Sequence, residues 1–599
     1  MRASVFPTCR RCARPTDPAW RAPYREALDI FATRASMPRP RSKPGIASIQ
    51  RALRQKFHLK RLRDGQQDVI DRVMRGLPTL AVLPTGAGKS LCYQLPAVVN
   101  GGLTVVVSPL IALMKDQCDG LAELGISAVQ FHSGCSAAEV AAAEQALVAD
   151  DPLILFTTPE RLADADFRAR LVARGVALLA IDEAHCISQW GHDFRPAFLQ
   201  LGSLRGSLGG PPVLALTATA TQGVIDDIAE LFDIPRAGVI GTGVYRPNLH
   251  YRAEAIGRAE DKLSRLLALV RSSEGSGLVY VATVKAAQQV FDALQATGES
   301  VGLYHGRLAA GRRHEQQDAF MAGRVRVMVA TNAFGLGVDK PDIRFVLHYQ
   351  IPPGLDAYYQ ESGRAGRDGL PAECTLLFSD SDRSVQQFFL SGRYPQLQDF
   401  EAVLRLLRSR ERPWDEAELD AALDAIERPR RKLDVALNML RQHDLVDAAA
   451  TVDTAALVEI AERYGGRAES DSAALEAMVA YAQSGRCRWQ LLLAHFEPSA
   501  GHPRCGTCDN CVRLARHEAV QAEAQDDARP PRVERSAFAL GQPVRTRRHG
   551  VGTVKAADAL SVTIEFPNGA QRSFQPQFVA AVRRAERQGP ARGAAGAAA

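Results

Sequence analysis

The heptapeptide Pro84-Thr-Gly-Ala-Gly-Lys-Ser90 constrains this chain more than any other stretch, because of what flanks it. An apolar run, 80–83, leads into it and a helical pattern leads out. Glycines at 86 and 88 let backbone N–H groups wrap a phosphate chain, with Thr85 between the strand and the first glycine. Lys89 sets a cation where terminal phosphates would lie, and Ser90 offers a hydroxyl to Mg2+. Position 83 is Leu where such a pattern usually opens on glycine, so an ordinary glycine-rich turn is the competing reading. A second strand end argues against the turn. Residues 178–181 run directly into Asp182-Glu-Ala-His185. A carboxylate at the end of a buried strand can hold Mg2+, and its neighbour Glu183 can polarise an attacking water.

The surrounding pattern agrees. Short apolar runs at 80–83, 104–107, 153–156, 177–181 and 213–216 alternate with helical stretches, and the alternation restarts at 277–281, 301–304, 325–330, 345–349 and 373–378. This predicts an α/β chain with two parallel-sheet halves in tandem, 46–245 and 246–385, helices on both faces of each. Two such halves imply a cleft, and ligands of open α/β sheets bind at the carboxyl ends of the strands.

Composition removes other classes. A chain of 599 residues leaves room for about four domains. No apolar run approaches the ~18 residues that would span a bilayer, so no membrane role is expected. Eleven cysteines are too sparse for a secreted disulfide scaffold and fit a reducing compartment. The net charge of +6 is no nucleic-acid signal, because residues 1–45 hold ten basic and three acidic side chains and the rest of the chain sums to −1. Nucleic acid would have to be gripped by local patches. The basic stretch 1–45 reads as a disordered tail; an organellar transit peptide and a true start at Met37 are the other readings. Cys9-Arg-Arg-Cys12 lies there without a second ligand pair and is not taken as a metal site.

In order along the chain, the motifs resemble those of superfamily-2 helicases and, within them, the RecQ family, from about Leu59 to Asp382. Leu62-Arg-Asp-Gly-Gln66 resembles the leading motif, which implies that Arg63 and Gln66 read adenine. Leu59 departs from members that stack an aromatic there. Val107-Ser-Pro-Leu-Ile-Ala-Leu-Met-Lys-Asp-Gln117 and Thr157-Thr-Pro-Glu-Arg161 resemble strand-tracking motifs, implying DNA contacts by Ser108, Lys115, Thr158 and Arg161. Leu216-Thr-Ala-Thr-Ala-Thr221, with Thr219, resembles the segment that links hydrolysis to unwinding. Thr331-Asn-Ala-Phe-Gly-Leu-Gly-Val-Asp-Lys340 and Gln360-Glu-Ser-Gly-Arg-Ala-Gly-Arg-Asp-Gly369 resemble the last two motor motifs. They imply a DNA contact by Thr331, a nucleotide contact by Asp339, and arginines 364 and 367 supplied across the cleft to a phosphoryl group. Cys186-Ile-Ser-Gln-Trp-Gly-His-Asp-Phe-Arg195 is similar to the family's aromatic-rich loop. Trp190 and Phe194 offer stacking faces, Arg195 a phosphate contact and His192 a polar link toward the nucleotide; packing of both aromatics in a core is the alternative.

Downstream, Cys487 is followed by Cys505-Gly-Thr-Cys508-Asp-Asn-Cys511. Four thiolates of this spacing suit tetrahedral Zn2+ or an iron–sulfur cluster, and the resemblance favours structural zinc. The pattern 478–496 reads as a helix carrying Cys487. The other cysteines of the motor, at 92, 118, 135, 186 and 374, read as small buried hydrophobes. Between motor and cysteines, 395–460 reads as three short helices at 400–408, 416–426 and 429–442 with a small wing at 445–457, a displaced winged helix or a plain bundle. The zinc segment is placed at 465–514 and a polar linker at 515–537. Residues 538–582 alternate like a small five-stranded barrel, and 585–599 reads as a disordered tail. The barrel pattern resembles the Tudor-like C-terminal module of UvrD/PcrA-type helicases, which implies a protein partner, RNA polymerase or a repair protein. Arg545, Arg547, Arg548 and His549 could instead contact DNA phosphates, or form a solvated basic edge.

The resemblance thus implies an ATP- and Mg2+-dependent DNA helicase moving 3′→5′ on single strands and opening duplex or branched DNA, in the nucleoid of the cytoplasm. An RNA helicase or duplex translocase of the same superfamily, and a catalytically inactive nucleic-acid-binding scaffold, are the alternatives.

Overall fold

The structure, a computed structural model, describes residues 46–149, 151–188, 195–335, 339–392, 394–410, 414–442, 445, 454–498, 501–526, 538–558 and 561–582. Both tails, the Cys9/Cys12 pair and the loop residues Trp190, His192 and Phe194 lie outside them.

The first half is a seven-stranded parallel sheet of β1 (Thr79–Val82), β2 (Leu103–Val107), β3 (Ala128–Phe131), β4 (Leu153–Thr157), β5 (Val176–Ile181), β6 (Val213–Thr217) and β7 (Val239–Gly241), in the order β3-β4-β2-β5-β6-β1-β7. Strands such as Leu-Thr-Val-Val-Val and Leu-Ile-Leu-Phe-Thr are buried along their whole length, as parallel strands covered on both faces must be. The chain then crosses 242–248 into a second parallel sheet of β8 (Leu249–Ala255), β9 (Ser276–Tyr280), β10 (Val301–Tyr304), β11 (Val327–Ala330), β12 (Ile343–His348) and β13 (Ala372–Phe378), ordered β10-β11-β9-β12-β13-β8. The sequence reading had no strand at β3, β7 or β8. The first two are only four and three residues long, and β8 alternates along an edge, half its residues outside the core.

Helices Leu397–Leu407, Glu416–Asp424 and Arg430–Gln442 pack around Phe400, Val403, Leu423, Leu433 and Leu440. Two expectations here are corrected. Residues 454–457 are not a wing but the first turn of a 30-residue helix, Thr454–Gln483, and 446–453 lie outside the described residues. That helix also runs through the expected boundary at 460–465. Gly465 and Gly466 do not break it, because packing holds both ends: Leu457 and Ile460 belong to the helical core, and Leu475, Met478 and Val479 to the core of the second half. The expected helix over 478–496 is likewise two helices, with Cys487 capping the second, Arg488–Phe496.

The region expected to be a polar linker begins as helix, Asp509–Asp526. The C-terminal strands β14 (Pro543–Thr546), β15 (Gly550–Ala557), β16 (Val562–Glu565), β17 (Gln571–Phe574) and β18 (Val579–Ala581) form an antiparallel sheet ordered β17-β16-β15-β14-β18. It is docked on the chain before it. The Gln575 amide N–H donates to the Gln483 carbonyl at 3.1 Å, and its side chain donates to the Ser484 carbonyl and to Asn510 at 3.3 Å. Arg547 pairs with Asp380, Arg548 with Glu476, and the Phe578 ring lies 6.0 Å from that of Phe378. Arg548 is thereby largely buried in its pair, while Arg547 keeps most of its side chain exposed.

Candidate active site

At the carboxyl edge of the first sheet, β1 delivers the phosphate loop and β5 delivers Asp182. Gly86 and Gly88 have φ of 83° and 75°, the left-handed region that only glycine enters without cost, so the loop folds back on itself. Lys89 Nζ donates to the Leu83 carbonyl at 3.5 Å across the loop it emerges from. Ser90 directly precedes helix Leu91–Asn100, and Thr85 Oγ1 is buried without a partner.

A cavity of about 580 Å3 opens over this loop, lined by residues of both halves. Arg63, Gln66, Thr85, Gly86, Gly88, Lys89, Ser90, Asp182 and Glu183 come from the first half, and Asp339, Arg364 and Arg367 from the second. Every residue assigned from sequence to nucleotide or Mg2+ is therefore brought to one place. Burial pushes the Asp182 carboxyl up to about 7, with Glu183 adding to the effect and Lys89 opposing it. A carboxylate and a hydroxyl beside the phosphate loop are oxygen ligands that suit Mg2+, held by Asp182 and Ser90, and the Lys89 ammonium is left for the phosphates. Arg367 pairs with Asp339, and burial holds its guanidinium below its ordinary range.

Glu183 stands at φ 49°, a strained position for a residue with a side chain. The twist brings its Oε2 to 3.3 Å from His185 Nδ1, and the same Nδ1 lies 3.0 Å from Thr217 Oγ1. Thr217 Oγ1 in turn donates to the Thr219 carbonyl at 2.9 Å. The acidic strand end is thus wired to the 216–221 segment through two buried side chains, His185 and Thr217.

Arg63 and Gln66, expected to read adenine, line the cavity and bond to the phosphate loop. Gln66 Nε2 donates to the carbonyls of Ala87 and Gly88, both at 2.9 Å, its Oε1 accepts the Arg63 N–H at 2.7 Å, and Arg63 Nη1 donates to the Gly86 carbonyl. They brace the phosphate loop, and the Gln66 amide has its donors and acceptor engaged there. Phe57, Gln94, Gln117 and Gln360 also line the cavity and were not singled out from sequence. Phe57 offers an aromatic two positions before Leu59.

The expected DNA-contact residues lie elsewhere along the strand ends. Ser108 and Thr158 follow β2 and β4, Thr219 follows β6, and Thr331 follows β11 of the second sheet. Ser108 Oγ and Thr219 Oγ1 are buried without partners, Thr158 caps helix Pro159–Leu162, and Lys115 is exposed on helix Ile111–Glu123. Arg161 lies over the Phe131 ring at 4.5 Å, and Arg195 Nη1 donates to the Pro109 carbonyl at 2.8 Å.

Far from the cleft, the sulfurs of Cys487, Cys505, Cys508 and Cys511 all lie within 4.8 Å of one another. Tetrahedral coordination at about 2.3 Å per sulfur needs a cluster of this size. Backbone N–H groups of Cys505, Cys508, Cys511 and Arg488 donate to three of these sulfurs at 3.3–3.4 Å, which favours thiolates. The buried Arg488 forks onto both oxygens of Asp509 at 3.0 Å, fixing the knuckle to its helix.

Comparisons with known proteins agree with this layout. Residues 63–228 match the family described as DEAD/DEAH box helicase, 260–369 match the helicase conserved C-terminal domain, and 444–512 match RecQ zinc-binding. The chain is 45% identical over 337 residues to an ATP-dependent DNA helicase RecQ of Bacillus subtilis, covering 56% of this chain and 56% of that protein. It is 38% identical over 370 residues to a probable ATP-dependent DNA helicase RecS of the same organism, covering 61% of this chain and 74% of that one. A Synechocystis ATP-dependent DNA helicase RecQ is 35% identical over 482 residues, 78% of this chain and 98% of its own length. The first of these relatives is thus matched over little more than half its length. With the zinc-binding match on the cysteines, the four thiolates form a zinc site. Among the described residues no helix is long and apolar enough to cross a membrane.

Proposed function

The chain belongs to the RecQ family of helicases, and from that membership we propose that it is an ATP-dependent DNA helicase that moves 3′→5′ along single-stranded DNA. The observation that carries this reading is the one cavity lined by Lys89 and Asp182 from one half and by Arg364 and Arg367 from the other. Lys89 binds the terminal phosphates, Ser90 and Asp182 hold Mg2+, and Glu183 orients the attacking water and takes its proton. Mg2+ supplies neutralisation of the charge that builds on the phosphoryl oxygens. Arg364 and Arg367 add cationic charge from across the cleft, an effect worth about 10³–10⁵ in rate where such arginines act. Because they belong to the second half, hydrolysis requires the halves to be closed and its completion loosens them. Alternation between the two states becomes stepping when DNA bridges Ser108, Lys115, Thr158, Arg161 and Arg195 on one half and Thr331 on the other. The chain works in the nucleoid of the cytoplasm on duplex and branched DNA in repair and recombination. A protein partner, RNA polymerase or a repair protein, docks on the face of the C-terminal sheet turned away from the motor. Unwinding measured on duplexes with 3′ or 5′ overhangs, beside a matched RNA duplex, tests the reading. Opening of the 3′-tailed DNA alone is expected, and equal opening of RNA would overturn it.

A further inference from the structure

Gly363, Ala365 and Gly366 alternate with the two arginines that face the nucleotide cavity, and their carbonyls converge on a single side chain. Arg246 Nη1 donates to the Gly363 carbonyl at 2.6 Å, and Nη2 to those of Ala365 and Gly366 at 2.8 and 2.6 Å. Helix Leu355–Ser362 ends at Gly363, whose carbonyl has no intrahelical donor; those of Ala365 and Gly366 lie in the turn beyond, where the Gly366 carbonyl also accepts from the Gly369 N–H at 3.0 Å. Two residues on, Asn248 Nδ2 donates to the carbonyls of Gly366 and Leu370 at 2.8 and 2.9 Å. Gly366 has φ 55°, and a Cβ there would stand 2.5 Å from Asn248 Nδ2, so the loop is gripped too closely for a side chain.

The clamp is itself held from behind. The Val244 N–H donates to Glu497 Oε1 at 3.0 Å, and the Val244 carbonyl accepts from the Tyr359 hydroxyl at 2.6 Å. The Trp489 indole N–H donates to the Leu249 carbonyl at 3.1 Å, and the Tyr245 ring meets the Trp489 ring edge-on at 4.9 Å. Arg246 is buried, and its five-donor fork can satisfy three acceptors in a fixed plane, which an ammonium cannot.

We propose that Arg246, seconded by Asn248, is a positioning residue that fixes the Gly363–Gly366 backbone and thereby aims Arg364 and Arg367 at the phosphoryl group. This rests on the reading of those arginines as stabilisers of phosphoryl transfer. Arg246 is not among the residues that line the nucleotide cavity. It stands where the chain leaves the first half and enters the second, so the closure that brings the arginines to the phosphate loop is set from the crossing segment.

The test is ATP hydrolysis by the full chain at saturating single-stranded DNA, for Arg246→Ala, Arg246→Lys, Arg367→Ala and the double variant Arg246→Ala/Arg367→Ala, with melting temperatures alongside. Arg246→Ala is expected to lower kcat by about 30-fold or more while KM for ATP stays within about threefold, and Arg246→Lys to recover part of the loss. In the Arg367→Ala background the further loss from Arg246→Ala is expected to be several-fold smaller than in the parent, because the part that acts through Arg367 is gone and only the part through Arg364 remains. Multiplying losses, or a raised KM at unchanged kcat, would overturn the clamp. If Arg246→Ala does not fold, Asn248→Ala at a half-exposed position carries the same test, with a kcat loss of about 3- to 10-fold that shrinks in the Arg367→Ala background. Hydrolysis by Arg367→Ala at the parent rate would instead overturn the reading of the arginines themselves, a separate outcome.

Discussion

Arg367 of the second half lies directly against Gly86 of the first. A Cβ on Gly86 would stand 3.1 Å from Arg367 Cγ and 3.7 Å from its Cα. The phosphate loop is therefore read by the opposite half through its backbone. Gly86→Ala is expected to hold the halves apart, lowering kcat for ATP hydrolysis by about tenfold or more. It should also cost about 1–2 kcal/mol of stability from the positive φ. Steady-state hydrolysis and chemical denaturation of the same protein measure both. An unchanged kcat would mean that the approach of Arg367 is not needed for the reaction.

Thr217 joins His185 to Thr219, so its hydroxyl is the narrowest point between the acidic strand end and the 216–221 segment. Thr217→Val keeps the shape and removes the hydroxyl. Basal hydrolysis should stay within about threefold of the parent, while stimulation by single-stranded DNA falls by about 2- to 30-fold. Equal loss of both rates would make the link structural only.

Elemental analysis should find one zinc per chain. Cys508→Ser removes a fully buried ligand, and loss of a structural metal ranks among the largest single-residue effects, about 4 kcal/mol or more. Hydrogen exchange should loosen around 475–515 before hydrolysis is affected. A stoichiometric iron signal would overturn the zinc assignment.

His549 gives the C-terminal sheet a dependence on pH. Its ring packs 5.3 and 5.9 Å from Phe566 and Phe574. Burial, with Arg572 and Arg548 adding, lowers its pKa from 6.5 to about 4. A histidine whose folded pKa is depressed binds its proton more readily when unfolded, so its neutral form supports the sheet fully above pH 6.5 and progressively less down to about 4. Protection factors over 538–582, that is, exchange relative to the intrinsic rate at each pH, should therefore fall between pH 7.5 and pH 5, and His549→Phe should flatten that part of the profile. An unchanged slope in His549→Phe would assign the pH dependence to other groups.

What could be read in the sequence follows the range of the forces involved. The phosphate loop and Asp182 were legible because each is a continuous motif at the end of an apolar run, where strand geometry alone aims it. The four cysteines were legible because ligand spacing is local for three of them, whereas the place of Cys487 between two helices was not. Arg246 was missed because its three acceptors lie 117 to 120 positions away. The available signal was a charged residue and an amide flanking Pro247 just ahead of the apolar start of β8, at the crossing between two sheets. The long helix was missed because the apolar residues that hold its two ends belong to two separate cores, so no single face runs along it. The ion pairs of Arg547 and Arg548 were not legible for a related reason. Clustered positive charge reads alike in a sequence whether its partners are phosphates or the carboxylates of Asp380 and Glu476.

The helix Thr454–Gln483 has a mechanical consequence. At 1.5 Å per residue its 30 residues make a rod of about 45 Å, anchored near its C-terminus in the second half and near its N-terminus in the helical core. A rod held this way is a lever. If the second half rocks by about 10° as the cleft opens, the far end sweeps about 8 Å, roughly twice the ~3.4 Å rise of a base step. The small rotation of a hydrolysing cleft is thereby geared up to a stroke of the size that a moving strand requires.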